Sequence, residues 1–221
     1  MDKLRNIVAL LDFDGVVMDT ETQYTVYWDK VGKQFFPDQK DFGSIIKGMT
    51  LTQIYEKYFD GMEAEQAAIT GGLNDFESEM TFNYIPGVVD FMRELHSHKV
   101  KIAIVTSSNE KKMSCVYTAH PELKSLVDKI LTAEMFTRSK PAPDCFLLGA
   151  EVFDTVVENC VVFEDSYHGL QAGRASGMPV VGLATTNSFE NIKDKCDVAI
   201  ADFTSFGYTQ MIDLLNGKHA K

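Results

Sequence analysis

The chain of 221 residues lacks the features that mark membrane, secreted and nucleic-acid-binding proteins. No apolar run approaches the ~20 residues that span a bilayer. The first apolar run has only five residues and is followed at once by the acidic Asp12. It is therefore too short for the apolar region of a secretory signal. The net charge is -11 and the acids are spread along the chain. This argues against nucleic acid or an anionic membrane as the main partner, although a small anion could bind in a locally positive pocket.

Cysteine pairs and the common catalytic glycine motifs are also missing. The four cysteines are far apart and form no CxxC pair, so we expect reduced core thiols in a cytoplasmic protein, without a metal or disulfide role. There is no Gly-rich P-loop, no GxGxxG and no nucleophile elbow. A nucleotide-type cradle and a serine hydrolase are therefore not indicated. The cysteines are Cys115, Cys145, Cys160 and Cys196.

Short apolar runs predict the main strands. They are rich in β-branched residues and do not alternate with polar ones, which is typical of strands buried on both faces. Helix-period segments lie between them, so the pattern predicts an α/β fold with a doubly wound parallel sheet. We also expect a short edge strand at 198–201 and a closing helix at 205–216. The four apolar runs are residues 7–11, 102–105, 160–163 and 180–183.

One connection is too long for this fold. A strand-helix-strand crossover needs about 30 residues, whereas the chain between Asp14 and Lys101 is far longer. Its apolar and aromatic residues have helical period, with a third segment from Glu63 to Tyr84, and glycines divide it. We predict a helical cap at residues 18–85, inserted into an α/β core formed by residues 1–17 and 86–221.

Polar groups follow each predicted buried strand. In open α/β sheets ligands bind outside the carboxyl ends of the strands, so these groups should share one crevice. The first strand leads to Asp12 and Asp14, two carboxylates that would repel unless a cation lay between them or one held a proton. The second strand leads to residues 106–109 and the third to residues 164–166, while Lys140 lies in a proline-stiffened loop.

Each group has a structural alternative when taken alone. Asp14 could form a turn, the hydroxyls after the second strand could cap a helix, Lys140 could be a solvated loop residue, and the acids after the third strand could begin a helix. Together they supply oxygen ligands that suit Mg2+, and hydroxyls with a lysine that suit phosphate. The nucleophile that remains is a carboxylate, and an aspartyl-phosphate is a standard covalent intermediate.

These residues, in this order and spacing, resemble the four motifs of the haloacid dehalogenase (HAD) superfamily. They look most like its β-phosphoglucomutase-like phosphatases with a helical cap after the first motif. Each motif is weak singly, but the ordered set is highly specific, and the resemblance covers essentially the whole chain. The motifs are DFDGV at 12–16, VTSS at 105–108, SKPAPD at 139–144 and FEDS at 163–166.

The resemblance implies catalytic roles. Asp12 would be the nucleophile, and Asp14 the general acid and then the base for water. Thr106, with Ser107, would bind the transferring phosphoryl group, and Lys140 would neutralise its charge.

The resemblance also implies a cofactor, Mg2+, held by Asp12, Asp165 and the backbone carbonyl of Asp14. Glu164 is a weaker candidate for the same ion. Lys47 is a candidate contact to the leaving group, with a solvated cap lysine as the alternative.

Two departures favour hydrolysis over a mutase reaction. Where the mutase has a histidine in the first cap helix and an arginine in the cap loop, this chain has Tyr24 and Leu51. Loss of the arginine removes the bidentate grip on a second phosphate. We therefore expect a Mg2+-dependent phosphatase of a small phosphorylated metabolite, such as a sugar phosphate. A β-phosphoglucomutase-type mutase and a slow phospho-accepting or sensing module stay open, as do the substrate and the oligomeric state.

Overall fold

The structure is a computed structural model that describes residues 6–47 and 49–217. Residues 1–5 and 218–221 of the predicted core, and Gly48 of the predicted cap loop, lie outside the described residues. None of the helices within the described ranges is long and apolar enough to cross a membrane.

The core is a six-stranded sheet in which every neighbouring pair is parallel, with the order β3-β2-β1-β4-β5-β6. From β1 the strands are added outward on both sides, β2 and β3 on one side and β4 to β6 on the other. The crevice of such a doubly wound sheet lies at the carboxyl end of β1. The predicted fold class is thereby confirmed. The strands are β1 (Val8–Leu11), β2 (Lys101–Val105), β3 (Lys129–Leu131), β4 (Cys160–Glu164), β5 (Val180–Leu183) and β6 (Val198–Ile200).

Helices cover both faces of the sheet. All four residues of β1 are fully buried, because alternate side chains enter two different hydrophobic clusters. Leu11 packs with α5 and α11 on one face, and Leu10 packs with α8 and α9 on the other. The core helices are α5 (Val88–Ser97), α6 (Glu110–Ala119), α7 (Leu123–Leu126), α8 (Asp144–Glu151), α9 (Tyr167–Ala175), α10 (Phe189–Ile192) and α11 (Tyr208–Leu215).

The segment between β1 and α5 is helical, as its periodicity predicts. Its helices α1 (Glu21–Phe35), α2 (Phe42–Ile45), α3 (Leu51–Tyr58) and α4 (Glu63–Glu79) bury a separate cluster that includes Trp28, Phe42 and Phe59. A side chain on Gly32 would lie 2.5 Å from the Phe42 Cβ, so the glycine lets α2 approach α1 closely.

The chain enters and leaves these cap helices through two adjacent segments. The Asp19 N–H donates to the Asn83 carbonyl at 2.8 Å, and the Ile85 N–H donates to the Val17 carbonyl at 3.0 Å. Met18 and Met80 pack in the cluster of the core, not in that of the cap. The boundaries at residues 18 and 85 stay a prediction.

Some predicted elements differ in extent. The short strand β3 at one sheet edge was not predicted, because three residues with only two apolar side chains give no readable pattern. The closing helix is shorter than residues 205–216, since a 3-10 turn at Phe203–Ser205 precedes α11. The third cap segment ends as a helix at Glu79, five residues before Tyr84.

The packing of Leu10 yields a stability prediction. Leu10 is fully buried, and its Cδ2 would lie only 2.7 Å from a Cβ at Gly149 on α8. Leu10→Ala should lower the free energy of unfolding by about 2–5 kcal/mol because it leaves a cavity in a closely packed face. Urea denaturation monitored by circular dichroism measures this change.

The matched control is Leu147→Ala, since Leu147 lies on α8 but is 41% exposed. Its effect should stay within about 1 kcal/mol. Equal losses in the two variants would contradict the assigned packing of β1 against α8.

Candidate active site

The polar residues predicted to share a crevice follow neighbouring strands. Asp12 comes directly after β1, and its N–H donates to the Phe163 carbonyl at 3.0 Å. Thr106 comes directly after β2, and its N–H donates to the Leu131 carbonyl at 2.9 Å. Asp165 follows β4. Because the three strands are parallel and adjacent, their carboxyl ends bring these residues together.

Lys140 lies at the centre of this group. Its ammonium is 2.6 Å from Asp12 Oδ1 and 2.6 Å from Glu164 Oε1, and it also donates to the Val105 carbonyl at 3.3 Å. Only 2% of Lys140 is exposed. The lysine is therefore a buried counter-charge, and the alternative of a solvated loop lysine is wrong.

Burial and neighbouring charges shift the pKa values of Lys140, Asp12 and Asp165. Burial disfavours the Lys140 ammonium, but the carboxylates of Asp12 and Glu164 outweigh it and raise its pKa above the ordinary value. Burial raises the pKa of Asp12 to about 8, against the lowering effect of Lys140. Burial, and then the carboxylates of Glu21 and Glu164, hold the pKa of Asp165 well above its usual range. One lysine does not balance three buried carboxylates.

Glu164 is held by protein groups on both of its oxygens. Oε1 accepts from Lys140, and Oε2 accepts from the N–H groups of Asp165 and Ser166 at 3.0 and 3.1 Å and from the Ser166 hydroxyl at 3.1 Å. A side chain on Gly169 would lie 1.8 Å from Oε1. Glu164 thus orients Lys140 and has little capacity left for a metal ion.

Asp12, Glu164 and Asp165 each offer a carboxylate oxygen within 4.8 Å of the others. Oδ2 of Asp165 is buried and has no hydrogen-bond partner among the described residues. Gly15, whose backbone has left-handed dihedral angles, packs against this oxygen. A Cβ atom added to Gly15 would lie 2.0 Å from Asp165 Oδ2. Hard oxygen donors around an unpartnered carboxylate fit a divalent cation. The Asp14 carboxylate is outside this cluster; the resemblance assigned that residue's backbone carbonyl to the ion.

The predicted phosphate-binding residues lie in the same place. Ser107 lines the cavity, and its hydroxyl is buried without a hydrogen-bond partner in the described part of the chain. The Thr106 hydroxyl accepts from the Ser108 N–H at 3.0 Å, which leaves its own proton free to donate. Ser107 therefore presents its hydroxyl at the cavity, whereas Thr106 is fully buried and is not among the residues that line it; contact of either hydroxyl with phosphate stays a prediction.

Asp14 is held by three side chains. Lys112 donates to Oδ1 at 2.5 Å and to Oδ2 at 2.6 Å, Ser108 donates to Oδ2 at 2.9 Å, and the Thr20 hydroxyl donates to Oδ1. Asp12 and Asp14 are thus paired with different lysines. Asp14 has a specific set of partners, so the alternative of a turn residue alone does not describe it.

A cavity of about 490 Å³ lies between the strand ends and the cap helices. The cap and the core are joined beside it: Gln53 of the cap donates to the Lys140 carbonyl at 3.1 Å, and the side chain of His168, on the core helix α9, contacts the Lys47 carbonyl of the cap at 2.9 Å. Its core wall includes Asp12, Asp14 and Lys140, and its cap wall includes Trp28, Leu51 and Tyr55. The predicted position of the cap over the crevice agrees with this cavity.

Charged cap residues face the same cavity. The Lys47 ammonium is 3.6 Å from Glu21 Oε2, and both side chains are about four-fifths buried. Burial raises the pKa of Glu21 to about 7, the Asp14 carboxylate adds to the shift, and Lys47 opposes it. Lys47 is therefore not a fully solvated cap lysine, and its contact with a substrate stays a prediction.

Four residues of the site were not predicted from the sequence: Lys112, Thr20, Glu21 and Glu77. Glu77 on α4 is buried and accepts from the Tyr24 hydroxyl at 2.8 Å. For Lys112 one signal was available. It lies in the first turn of α6, three residues after the N-cap Asn109, where the helix dipole disfavours a cation.

Comparison with known proteins gives the family. The family model for haloacid dehalogenase-like hydrolase matches residues 9–183. A fructose-1-phosphate phosphatase of Escherichia coli is 29% identical over 180 residues, which are 79% of this chain and 94% of that protein. A phosphorylated carbohydrates phosphatase of Thermotoga maritima is 26% identical over 77% of this chain and 81% of that protein.

The chain also matches part of a much longer protein. It is 31% identical to the chloroplastic protein SUPPRESSOR OF QUENCHING 1 of Arabidopsis thaliana over 60% of this chain, but the match spans 12% of that protein.

Solved structures share the fold. A HAD hydrolase of family IA, variant 3, from Entamoeba histolytica has a TM-score of 0.83 at 21% identity and covers 95% of this chain and 99% of that one. A β-phosphoglucomutase from Clostridium difficile has a TM-score of 0.75 at 20% identity, with 97% and 99% covered. The family model over residues 9–183 confirms the resemblance drawn from the four motifs, and the chain belongs to the haloacid dehalogenase-like hydrolases.

Proposed function

We propose that the protein is a Mg2+-dependent phosphatase that hydrolyses a small phosphorylated metabolite through an aspartyl-phosphate intermediate. The observation that carries the proposal is the contact of Asp12 with the buried Lys140 ammonium at the cavity, beside the buried Asp165 Oδ2, which has no hydrogen-bond partner in the described part of the chain. A carboxylate nucleophile next to fixed positive charge suits phosphoryl transfer, in which the charge on the phosphoryl oxygens must be stabilised.

In the first step, a carboxylate oxygen of Asp12 forms a bond to phosphorus while the bond from phosphorus to the leaving oxygen breaks. Asp14 gives its proton to that oxygen, so an alcohol leaves. Lys140 stabilises the charge of the phosphoryl group, and the hydroxyls of Thr106 and Ser107 donate to its oxygens.

In the second step, a water molecule attacks the phosphorus of the aspartyl-phosphate. Asp14 accepts a proton from the water, the bond from phosphorus to Asp12 breaks, and inorganic phosphate forms. The free Asp12 carboxylate and the protonated Asp14 are then ready for another substrate molecule. The cap helices exclude bulk water from both steps.

Asp12, Asp165 and the backbone carbonyl of Asp14 would hold the Mg2+ ion. When bound, the ion supplies positive charge that lowers the repulsion between the phosphate and Asp12 and favours the ionised form of the buried carboxylates. Glu164 stays with Lys140, because protein donors engage both of its oxygens.

A sugar phosphate is the substrate class that the cavity and the relatives support. The cavity offers an ion pair, Glu21 with Lys47, that can bond hydroxyl groups, and an apolar cap wall. The two phosphatases reported above are named for fructose 1-phosphate and for phosphorylated carbohydrates. Hydrolysis is favoured over a mutase reaction because Leu51 is an apolar wall residue and the Tyr24 hydroxyl is engaged by Glu77.

The first test is release of phosphate from p-nitrophenyl phosphate. The purified protein should turn this substrate over with Mg2+ and lose the activity when EDTA is added. Asp12→Asn should lower kcat by at least about 1,000-fold, because the amide is a poor nucleophile. Colorimetric detection of nitrophenol and of phosphate measures both rates.

The matched control is Asp90→Asn, since the Asp90 side chain is largely exposed and pairs only with Arg93 in the salt bridges of the described chain. Full activity of Asp12→Asn would contradict the mechanism. Long-lived phosphorylation of Asp12 without turnover would favour the sensing module. Isomerisation of a sugar phosphate that needs a bisphosphate activator, without net phosphate release, would favour the mutase.

Lys140 provides a second test. Lys140→Met should lower kcat by about 100-fold or more, because the charge beside Asp12 and the phosphoryl group is lost. It should also lower the melting temperature, since buried carboxylates lose their counter-charge. Mg2+ should still raise the melting temperature, because the proposed ligands Asp12 and Asp165 are intact.

Steady-state kinetics and thermal melts with and without Mg2+ check these effects. The control is Lys193→Met, which removes only an exposed ion pair with Glu190 and should leave both quantities nearly unchanged. Unchanged kcat in Lys140→Met would rule out the assigned role of the lysine.

A further inference from the structure

Lys112 is a second buried lysine at the cavity. Only 2% of it is exposed. Its ammonium lies 2.5 and 2.6 Å from the two oxygens of Asp14 and 2.9 Å from the Ser108 hydroxyl. An ammonium has three N–H donors, and these three acceptors use all of them. Lys112 therefore has no donor left for a substrate while it holds Asp14.

The surroundings of Lys112 hold it in this position. Its ammonium lies 4.4 Å from the centre of the Tyr24 ring on α1 and 5.3 Å from that of Phe13. Tyr24 is itself fixed by its hydrogen bond to Glu77 on α4. The aromatic faces attract the cation, and the closely placed Asp14 compensates for its burial. A lysine on a core helix is thus packed against the cap.

Asp14 depends on this lysine for its orientation. A carboxylate on a short side chain can rotate about χ1 and χ2, and its terminal torsion is broad. Lys112 donates to both oxygens, Ser108 donates to Oδ2 and Thr20 donates to Oδ1. These hydrogen bonds fix the plane of the carboxylate. General acid catalysis needs such a defined geometry toward the leaving oxygen.

We propose that Lys112 is a positioning residue that fixes the carboxylate plane of Asp14 for reaction at the leaving-group oxygen. The inference rests on the proposed phosphatase function. The two lysines would then have different tasks. Lys140 pairs with Asp12, which receives the phosphoryl group, and Lys112 pairs with Asp14, which gives a proton to the leaving group. Loss of Lys112 therefore affects both steps in which Asp14 moves a proton, and it does not affect binding of the phosphate.

The test compares two substrates of similar shape, phenyl phosphate and p-nitrophenyl phosphate. Phenolate needs a proton to leave, whereas the nitro group stabilises the leaving anion. Lys112→Met should lower kcat/KM, which reports the first step, for phenyl phosphate by about 10- to 100-fold, with a much smaller loss for p-nitrophenyl phosphate. KM for both should rise by no more than about 3-fold, because binding is retained.

A double-mutant cycle tests whether Lys112 acts through Asp14. In an Asp14→Asn background, Lys112→Met should change kcat for phenyl phosphate by less than about 2-fold. Lys112→Arg, which keeps the charge and donors, should recover part of the lost rate. The matched control is Lys111→Met, since Lys111 is the exposed neighbour on the same helix, and it should behave as the wild type.

Several outcomes would overturn the proposal. A raised KM with unchanged kcat would show that Lys112 binds the substrate. Equal losses of kcat/KM for the two substrates, or additive losses with Asp14→Asn, would show that it does not act through Asp14. If Lys112→Met does not fold, the same measurements on Lys112→Arg and Lys112→Gln decide, because both keep a hydrogen-bond donor. A wild-type protein that hydrolyses neither ester with Mg2+ would instead overturn the proposed function, and this inference with it.

Discussion

The site depends on one interaction, the burial of the Lys140 ammonium between the carboxylates of Asp12 and Glu164. Removing these three charges from water costs free energy that their attraction recovers only with good geometry and further hydrogen bonds. The fold supplies both. Adjacent parallel strands place the two acids side by side, and two backbone N–H groups with a serine hydroxyl complete the bonding of Glu164.

The buried carboxylates of the site explain why two of the residues packed against them are glycines. Gly169 at the start of α9 has no side chain because the Glu164 carboxylate occupies that space, and Gly15 has none because Asp165 does. Gly15 also has a positive φ of 75°, which glycine adopts without strain. The helix and the turn therefore approach the two carboxylates so closely that no side chain fits between them.

The sequence was sufficient for the parts of the site that topology brings together. Asp12, Thr106, Lys140 and Asp165 follow strands or a strand-end loop, and in a doubly wound sheet such positions converge whatever the details of packing. Glu164 was a weaker candidate for the metal ion, and its hydrogen bonds to the following turn could not be read from residue types. Strand β3 was missed because it is held by pairing with β2 at the sheet edge, which no local pattern records.

Lys112 could not be found in the same way, because its role depends on the packing of α6 against the cap. Helical phase decides that Lys112 faces Asp14 whereas Lys111 faces solvent, and the Tyr24 ring that covers the ammonium comes from a cap helix.

The resulting arrangement has a physical consequence. Asp12 and Asp14 are separated by one residue, yet each has its own lysine, so their charges are balanced by different groups. When Asp14 gains or loses a proton, Lys140 therefore stays paired with Asp12, and a change at Asp12 likewise leaves Lys112 paired with Asp14. Two adjacent carboxylates can in this way keep different tasks, which a single shared lysine would not allow.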